Sequence, residues 1–413
     1  MLTTADFLQE RVHRIESLDP SSKDLNILQS ITQGAKVVAI GEGSHFINEY
    51  WEMRQRLFEY LHRSMGLEIF AMEFGFSEAW LVDRWVGGEA SEGDLRLFSE
   101  SIENWGAGNT IRWLRKYNAS LDQKISFAGI DIPEAAGTLL PSLLPFYEFA
   151  RTISMPTGDL REAILISDEF ASRSVVTAAA KWKQMPATRT DRLAAILANT
   201  LTRFVSLKDY YTETISTMDY AIALRHLEAS ICAEFMIRAV AHADRRKAFM
   251  PDMSAREYFM AKSVMWHLEA NPGSKIFLLA HNNHIQKTNV AYGQHTAAVP
   301  MGFFLSKFLG DEYCAIALTS ADNHTADMII DPSRPTGFKI VDIKLSKAIE
   351  GSFNAFIEDN SLADILTLTD MRRSTINFSS IRSQSSFVDT SVKDAFDAII
   401  NLPTISVNTK HGL

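Results

Sequence analysis

The sequence predicts an α/β fold, a largely parallel sheet core interrupted by a helical insertion. Three observations predict it. Several short runs are apolar at every position rather than at alternate ones, which means burial on both faces, as in a parallel sheet. Segments with apolar residues at three- and four-residue spacing separate these runs and read as helices. Finally, none of the 20 glycines falls between Gly158 and Gly273, so a long stretch lacks a common helix breaker.

The strands expected in order are Lys36–Gly41, Glu68–Glu73, Ile125–Asp131, Lys275–Ala280 and Tyr313–Thr319, with Phe338–Asp342 and Asp397–Asn401 as weaker additions. In the glycine-free stretch only Pro186, Pro251 and Pro272 interrupt, and Thr190–Tyr210, Ile215–Arg245 and Ser254–Ala270 read as long amphipathic helices. Ser254-Ala-Arg-Glu257 has the capping-box spacing that opens the last helix, and Asn271-Pro272-Gly273 closes it. The division expected is 1–150 for the first part of the core, 151–272 for the helical insertion and 273–413 for the second part of the core.

A chain of 413 residues predicts two to three domains at about 150 residues each. Hydrophobic residues at 46% and charged residues at 22% supply a real core, which excludes disordered and fibrous classes. With 41 basic against 50 acidic residues the net charge is −9, which argues against a nucleic-acid partner, because that affinity rests on neutralising phosphates. Cys232 and Cys314 lie far apart in apolar stretches and suit a reducing compartment. The first residues, Met1 to Arg11, carry charges where a signal peptide is apolar, and no run approaches the ~20 apolar residues of a membrane span. A cytoplasmic protein with no membrane partner is expected.

Chemically able residues fall at the C-terminal ends of four expected strands. The first runs into Glu42-Gly-Ser-His45, the second ends in Glu73, the third in Asp131, and the fourth in His281-Asn-Asn-His284. Ligands bind beyond the strand C-termini of an open parallel sheet, so four such ends can line one cleft. Each residue also has an ordinary structural reading: Glu42 as a helix cap, His45 as a donor to a backbone carbonyl, Arg54 as a solvated helical residue, Asp131 as a turn organiser. Glu73 follows Ile-Phe-Ala-Met and is expected to be buried, so it needs a cation or donor beside it. His281 and His284 share a face if they sit on a helical turn, and with His45 or Glu73 they would make a metal set. The chain has no HExxH helix, no GxSxG elbow around Ser44 and no Walker loop, and Phe46 stands where a dinucleotide fingerprint needs glycine. What remains is a histidine, carboxylate and arginine constellation suited to activating water.

These residues carry a resemblance. Ile40-Gly-Glu-Gly-Ser-His45, the helix holding Arg54, the Ala71-Met-Glu73 strand end and the run from Leu278 to Lys287 are similar to the erythromycin esterase family. The likeness extends through Ala298–Gly302, Arg382–Ser385 and Asp394–Ala398, and is closest to the macrolide esterases of the shorter type. The 158–273 block is the least characteristic part. The resemblance implies a hydrolase that opens the lactone ester of 14-membered macrolides such as erythromycin, giving antibiotic resistance without a metal or cofactor. It implies that His45 is the general base, with Glu73 orienting it or balancing its charge. Glu42 would hold the water or a nearby ring, and Arg54, His281 and His284 would bind the carbonyl or the developing oxyanion. Asp131 is expected to support them.

A macrolide is large and apolar and carries an amino sugar that is cationic near neutral pH, so the cleft should be mostly apolar. Met236, Phe249, Phe259 and Pro300–Phe304 are the expected lining. Two alternatives stay open: a related hydrolase acting on another ester or a polysaccharide-linked substrate, and a haem- or metal-binding protein using His281 and His284.

Overall fold

The computed structural model describes residues 3–16, 23–91, 93, 106–242, 253–293 and 295–409. The strands, in chain order, are β1 (Val12–Arg14), β2 (Val37–Ile40), β3 (Ile69–Gly75), β4 (Ser126–Asp131), β5 (Ile276–Leu279), β6 (Val290–Tyr292), β7 (His295–Ala298), β8 (Tyr313–Ser320), β9 (His324–Ile330), β10 (Phe338–Lys344), β11 (Thr367–Asp370), β12 (Ser380–Ser383), β13 (Ser386–Asp389) and β14 (Ala398–Leu402). Eight of them form one sheet in the order β1-β11-β14-β8-β2-β5-β3-β4. The run from β14 to β4 is parallel throughout, while β11 and β1 join its other edge antiparallel. The fold is therefore α/β with a largely parallel core, as the apolar runs imply.

Alternate residues of these strands feed two cores. Val38 and Ile40 of β2, Phe70 and Met72 of β3, and Phe277 and Leu279 of β5 face one apolar layer. Val37 and Ala39, Ile69 and Ala71, and Ile276 and Leu278 face the other. Burial on both faces removes any need for polar alternation, which is why these strands read as continuous apolar runs. Helix Asn48–Met65 covers the first face through Tyr50, Met53, Leu57, Phe58 and Leu61. Helix Ser254–Ala270 packs on β4 and buries Met260, Ala261 and Val264 against the second.

Phe338–Asp342 is the exception among the expected strands. It lies in β10, which pairs antiparallel with β9 in a separate two-stranded sheet. Along β10 every residue stays partly or fully exposed, so this strand cannot occupy a sheet interior.

A third apolar cluster gathers residues between Phe76 and Phe259 into a helical layer. Its helices are Leu140–Thr152, Gly158–Phe170, Val175–Trp182, Ala187–Ser206 and Thr217–His242. Aromatic stacking marks its centre, with the Phe204 and Tyr220 rings 4.5 Å apart. The helix expected over Thr190–Tyr210 breaks at Leu207 and resumes as Lys208–Thr212. Arg245, the expected end of the next helix, lies outside the described residues, as do Phe249 and Pro251.

Helix Ser254–Ala270 has the expected bounds but not the expected cap. Its N-cap is Met253, and Ser254 Oγ instead accepts the Val299 N–H at 3.0 Å. The Glu257 carboxylate turns away from the helix start, because the half-buried His284 and the Met301 N–H claim it.

Candidate active site

Strands β2, β5, β3 and β4 are neighbours, so the residues at their C-terminal ends converge on one edge of the sheet. The loop after β2 is tied to the loop after β5. Asn282 donates its N–H to the Glu42 carbonyl at 2.9 Å and its side-chain amide to Leu318 O at 2.8 Å. Asn282 lies so close to Gly41 that a Cβ there would meet its Oδ1 at 1.8 Å, which explains the glycine.

Glu42 is buried beneath this loop. One oxygen, Oε1, receives the His45 Nδ1 proton at 2.8 Å, and Arg54 Nη1 lies 2.9 Å from the other as an ion pair without hydrogen-bond alignment. Arg54 is only 1% exposed. Its Nε donates to Gly41 O at 3.2 Å and its Nη2 to Ala280 O at 2.8 Å, so it fastens the ends of β2 and β5 together around Glu42. A buried arginine with two carbonyls and a carboxylate is fully engaged, and burial lowers its pKa while Glu42 and Glu73 offset part of that.

Glu73, at the end of β3, contacts the other half of the site. Its Oε1 lies 2.9 Å from Arg256 Nη2 and 3.2 Å from His284 Nε2, and its Oε2 accepts the His281 N–H at 3.2 Å. Burial alone would raise this carboxyl, but His284, Arg256 and His45 outweigh it and hold Glu73 well below the usual range. Asp131, ending β4, takes both Nε and Nη2 of Arg256 at 2.9 and 2.5 Å, a bidentate pair. Arg256 therefore bridges β3 and β4.

The two histidines after β5 are in opposite states. His281 caps the short helix Asn282–Ile285, its Nδ1 accepting the Asn283 N–H at 3.1 Å. That bond places its proton on Nε2, which is buried and has no hydrogen-bond partner among the described residues. Burial, aided by His45 and His284, keeps the ring neutral by pushing its pKa well below the histidine range. His284 is held between two carboxylates, Nδ1 to Glu257 Oε1 at 2.7 Å and Nε2 to Glu73 Oε1 at 3.2 Å. Burial opposes its charge, but Glu257 and Glu73 prevail and raise it to about 10. Because an imidazolium has no lone pair, His284 cannot ligate a metal in this state. The His281 and His284 rings stand 6.4 Å apart at 80°, whereas the His45 and His281 rings are 5.0 Å apart.

A cavity of about 270 Å³ opens over this array. His45, Glu73, Arg256, His284, Asp131 and Glu78 line its polar side, and Trp51, Met72, Phe74, Val175, Met328 and Phe338 its apolar side. The expected apolar lining is elsewhere: Met236 and Phe259 are core residues of the helical layer, and Met301 is buried against the sheet. The actual apolar wall comes from strand ends, from helix Val175–Trp182 and from the β9–β10 hairpin.

All six residues singled out in the sequence, Glu42, His45, Arg54, Glu73, His281 and His284, meet in this one array. Three others, Arg256, Glu257 and Glu78, carry no motif that points to a site. A signal for Arg256 existed in part: Glu73, expected to be buried, called for a cation or donor beside it. Glu257 was hidden by its capping-box spacing.

An imidazole backed by a carboxylate, together with two fixed cations, lines one side of a cavity whose other side is apolar, an arrangement chemically able to serve hydrolysis of an apolar ester. The comparison with known sequences is specific. The chain belongs to the erythromycin esterase family, whose sequence model matches residues 62–405. It is 30% identical over 398 residues to the erythromycin esterase type II of Escherichia coli, covering 94% of each chain. It is 29% identical to the type I enzyme of Escherichia coli, covering 93% of this chain and 95% of that one. The structure of an erythromycin esterase mutant, EreC, in its open conformation superposes with a TM-score of 0.89 at 26% identity, covering 98% of this chain and 99% of that one.

Proposed function

We infer that this chain hydrolyses the lactone ester of 14-membered macrolide antibiotics such as erythromycin, opening the ring and so conferring resistance. The observation that carries the mechanism is the His45 ring, which lines the cavity while its Nδ1 proton is held by Glu42 at 2.8 Å. That bond leaves Nε2 as the basic nitrogen. Nε2 takes a proton from water as the water oxygen attacks the lactone carbonyl carbon, and Glu42 stabilises the imidazolium that forms. The carbonyl oxygen gains the charge, and the fixed positive charges of His284 and Arg256 in the cavity wall stabilise it. Collapse expels the ring alkoxide, which takes the proton back from His45, leaving a hydroxy acid.

Arg54 acts as a positioning residue, since its donors are spent on Glu42 and two carbonyls. Glu73 positions His281 and His284 rather than His45. The reaction uses no metal in this reading, because the carboxylates that would ligate one are committed: Glu42 to Arg54 and His45, Glu73 to Arg256 and His284, Asp131 to Arg256. The two free cysteines, Cys232 and Cys314, support a cytoplasmic location. Among the described residues no helix is long and apolar enough to cross a membrane.

Mass spectrometry of erythromycin incubated with the protein tests the reading. A product heavier by one water should form with wild type, with and without chelator. It should be absent with His45→Ala, whose circular dichroism and melting temperature stay near wild type. Turnover near wild type in His45→Ala would overturn the general-base assignment.

A further inference from the structure

Three carboxyls of the cavity wall have a cation beside them, and among the described residues a fourth, deeply buried one has none. Glu42 faces Arg54, Glu73 faces Arg256 and His284, and Asp131 faces Arg256. Glu78 faces none. It is 3% exposed, its Oε1 accepts the Glu134 N–H at 2.7 Å, and its Oε2 is buried without a partner.

The surroundings are built around this group. The Glu78 carboxyl lies on the end of β3 over Gly75, where a Cβ would come within 2.2 Å of Oε2, so any side chain at 75 would displace it. On its other side the chain turns through Glu134, Ala135 and Ala136 with φ of 35°, 44° and 60°, a left-handed path that non-glycine residues rarely take. The N–H that Glu78 holds belongs to the first residue of that turn, and Glu134 and Ala135 line the same cavity.

A buried carboxylate without a counter-charge is unfavourable. Burial, with Glu134 and Asp131 nearby, pushes Glu78 up to about 8, which favours the neutral acid at pH 7. An incoming cation would give it what arginine and histidine give its neighbours. The proton would leave to solvent and an ion pair would form in its place. Phe74, Val175 and Phe338 on the apolar side would accept alkyl groups carried by such a cation.

We propose that Glu78 is the binding residue for a cationic tertiary amine of the ligand, the protonated dimethylamino group on the amino sugar of the macrolide. This rests on the macrolide esterase reading. It places the ester beside His45 and the amino sugar along the Gly75–Ala135 wall of one cavity.

The test compares two substrates with the same lactone, erythromycin and its N-oxide, whose amino-sugar nitrogen bears no net charge at neutral pH. Wild type should prefer erythromycin in kcat/KM by about tenfold or more, the scale of one hydrogen bond to a charged group. Glu78→Gln, which keeps an oxygen for the Glu134 N–H, should lose that preference through KM, with kcat little changed. The ratio is read within each protein, so a loss of folded material cancels. Glu78→Asp, which keeps the charge, should retain part of the preference. An equal preference in wild type and Glu78→Gln would overturn the amine subsite while leaving the esterase reading intact. Absence of hydrolysis of either substrate by wild type would overturn the esterase reading, and this subsite with it.

Discussion

Glu257→Gln tests whether the positive charge on His284 serves the reaction. His284 titrates at about 10 because two carboxylates face its ring nitrogens, Glu257 at 2.7 Å and Glu73 at 3.2 Å. An opposite charge at such a distance moves a pKa by about one to three pH units, so removing Glu257 should bring His284 down to about 8. At pH 9.5 roughly three-quarters of the wild-type histidine would stay protonated against about 3% in the variant. The assay is kcat/KM for erythromycin between pH 6 and 11. The alkaline limb should move down by about two pH units in the variant, and a His284→Gln variant should show no such limb. Stability follows the same linkage. The folded pKa lies above the unfolded one, so the stabilisation is fully present below the unfolded value and is lost as pH rises through about 10. The difference in stability between wild type and variant should therefore be largest near neutrality and shrink to a pH-independent remainder above pH 10. Glutamine also cannot accept from both His284 Nδ1 and the Met301 N–H, which adds about 1–3 kcal/mol of destabilisation that does not vary with pH. Alkaline limbs that coincide after scaling would refute the argument that Glu257 sets the charge on which the reaction depends.

Removing Arg256 should be more damaging than its partial exposure suggests. Arg256→Leu strands Asp131 as a buried carboxylate and leaves Glu73 with His284 alone as ion-pair partner, at a cost of about 3–5 kcal/mol in urea unfolding at pH 7. Arg256→Lys should recover only part of it, because an ammonium cannot span Asp131 bidentately and reach Glu73 as well; full recovery would sink the bridging role. Ala135→Gly, at φ 44°, should be neutral or stabilise by about 1 kcal/mol, where the same change inside a helix costs about that much. A clear loss of stability would show that the left-handed turn is not strained.

The parts of this protein legible in one dimension are those whose physics is local. Val37–Ile40 and Ile276–Leu279 announce central strands because each is buried on both faces, and helix Ser254–Ala270 announces its length through its spacing and closing turn. Glu42, His45, Glu73, His281 and His284 could be grouped because they lie at or just beyond such strand ends, and the chain direction of a parallel sheet sends these ends to one edge; Arg54 lies instead on helix Asn48–Met65.

What tertiary structure decided is the pairing among those groups. Nothing near position 73 in the chain says that its carboxylate will meet Arg256, 183 residues away, nor that Asp131 will share the same guanidinium. Glu257 has the spacing of a helix cap, and only the packing of helix Ser254–Ala270 on β4 brings it to His284 instead. The assignment of a neutral His281 beside a charged His284 also depends on three-dimensional placement. The two rings are three residues apart and chemically identical, and they diverge because one accepts a backbone N–H in a buried setting while the other lies between two carboxylates. Sequence specifies which groups are carried to the sheet edge. Electrostatic energy in a low-dielectric interior, which falls off with distance in space and not along the chain, decides which of them are charged.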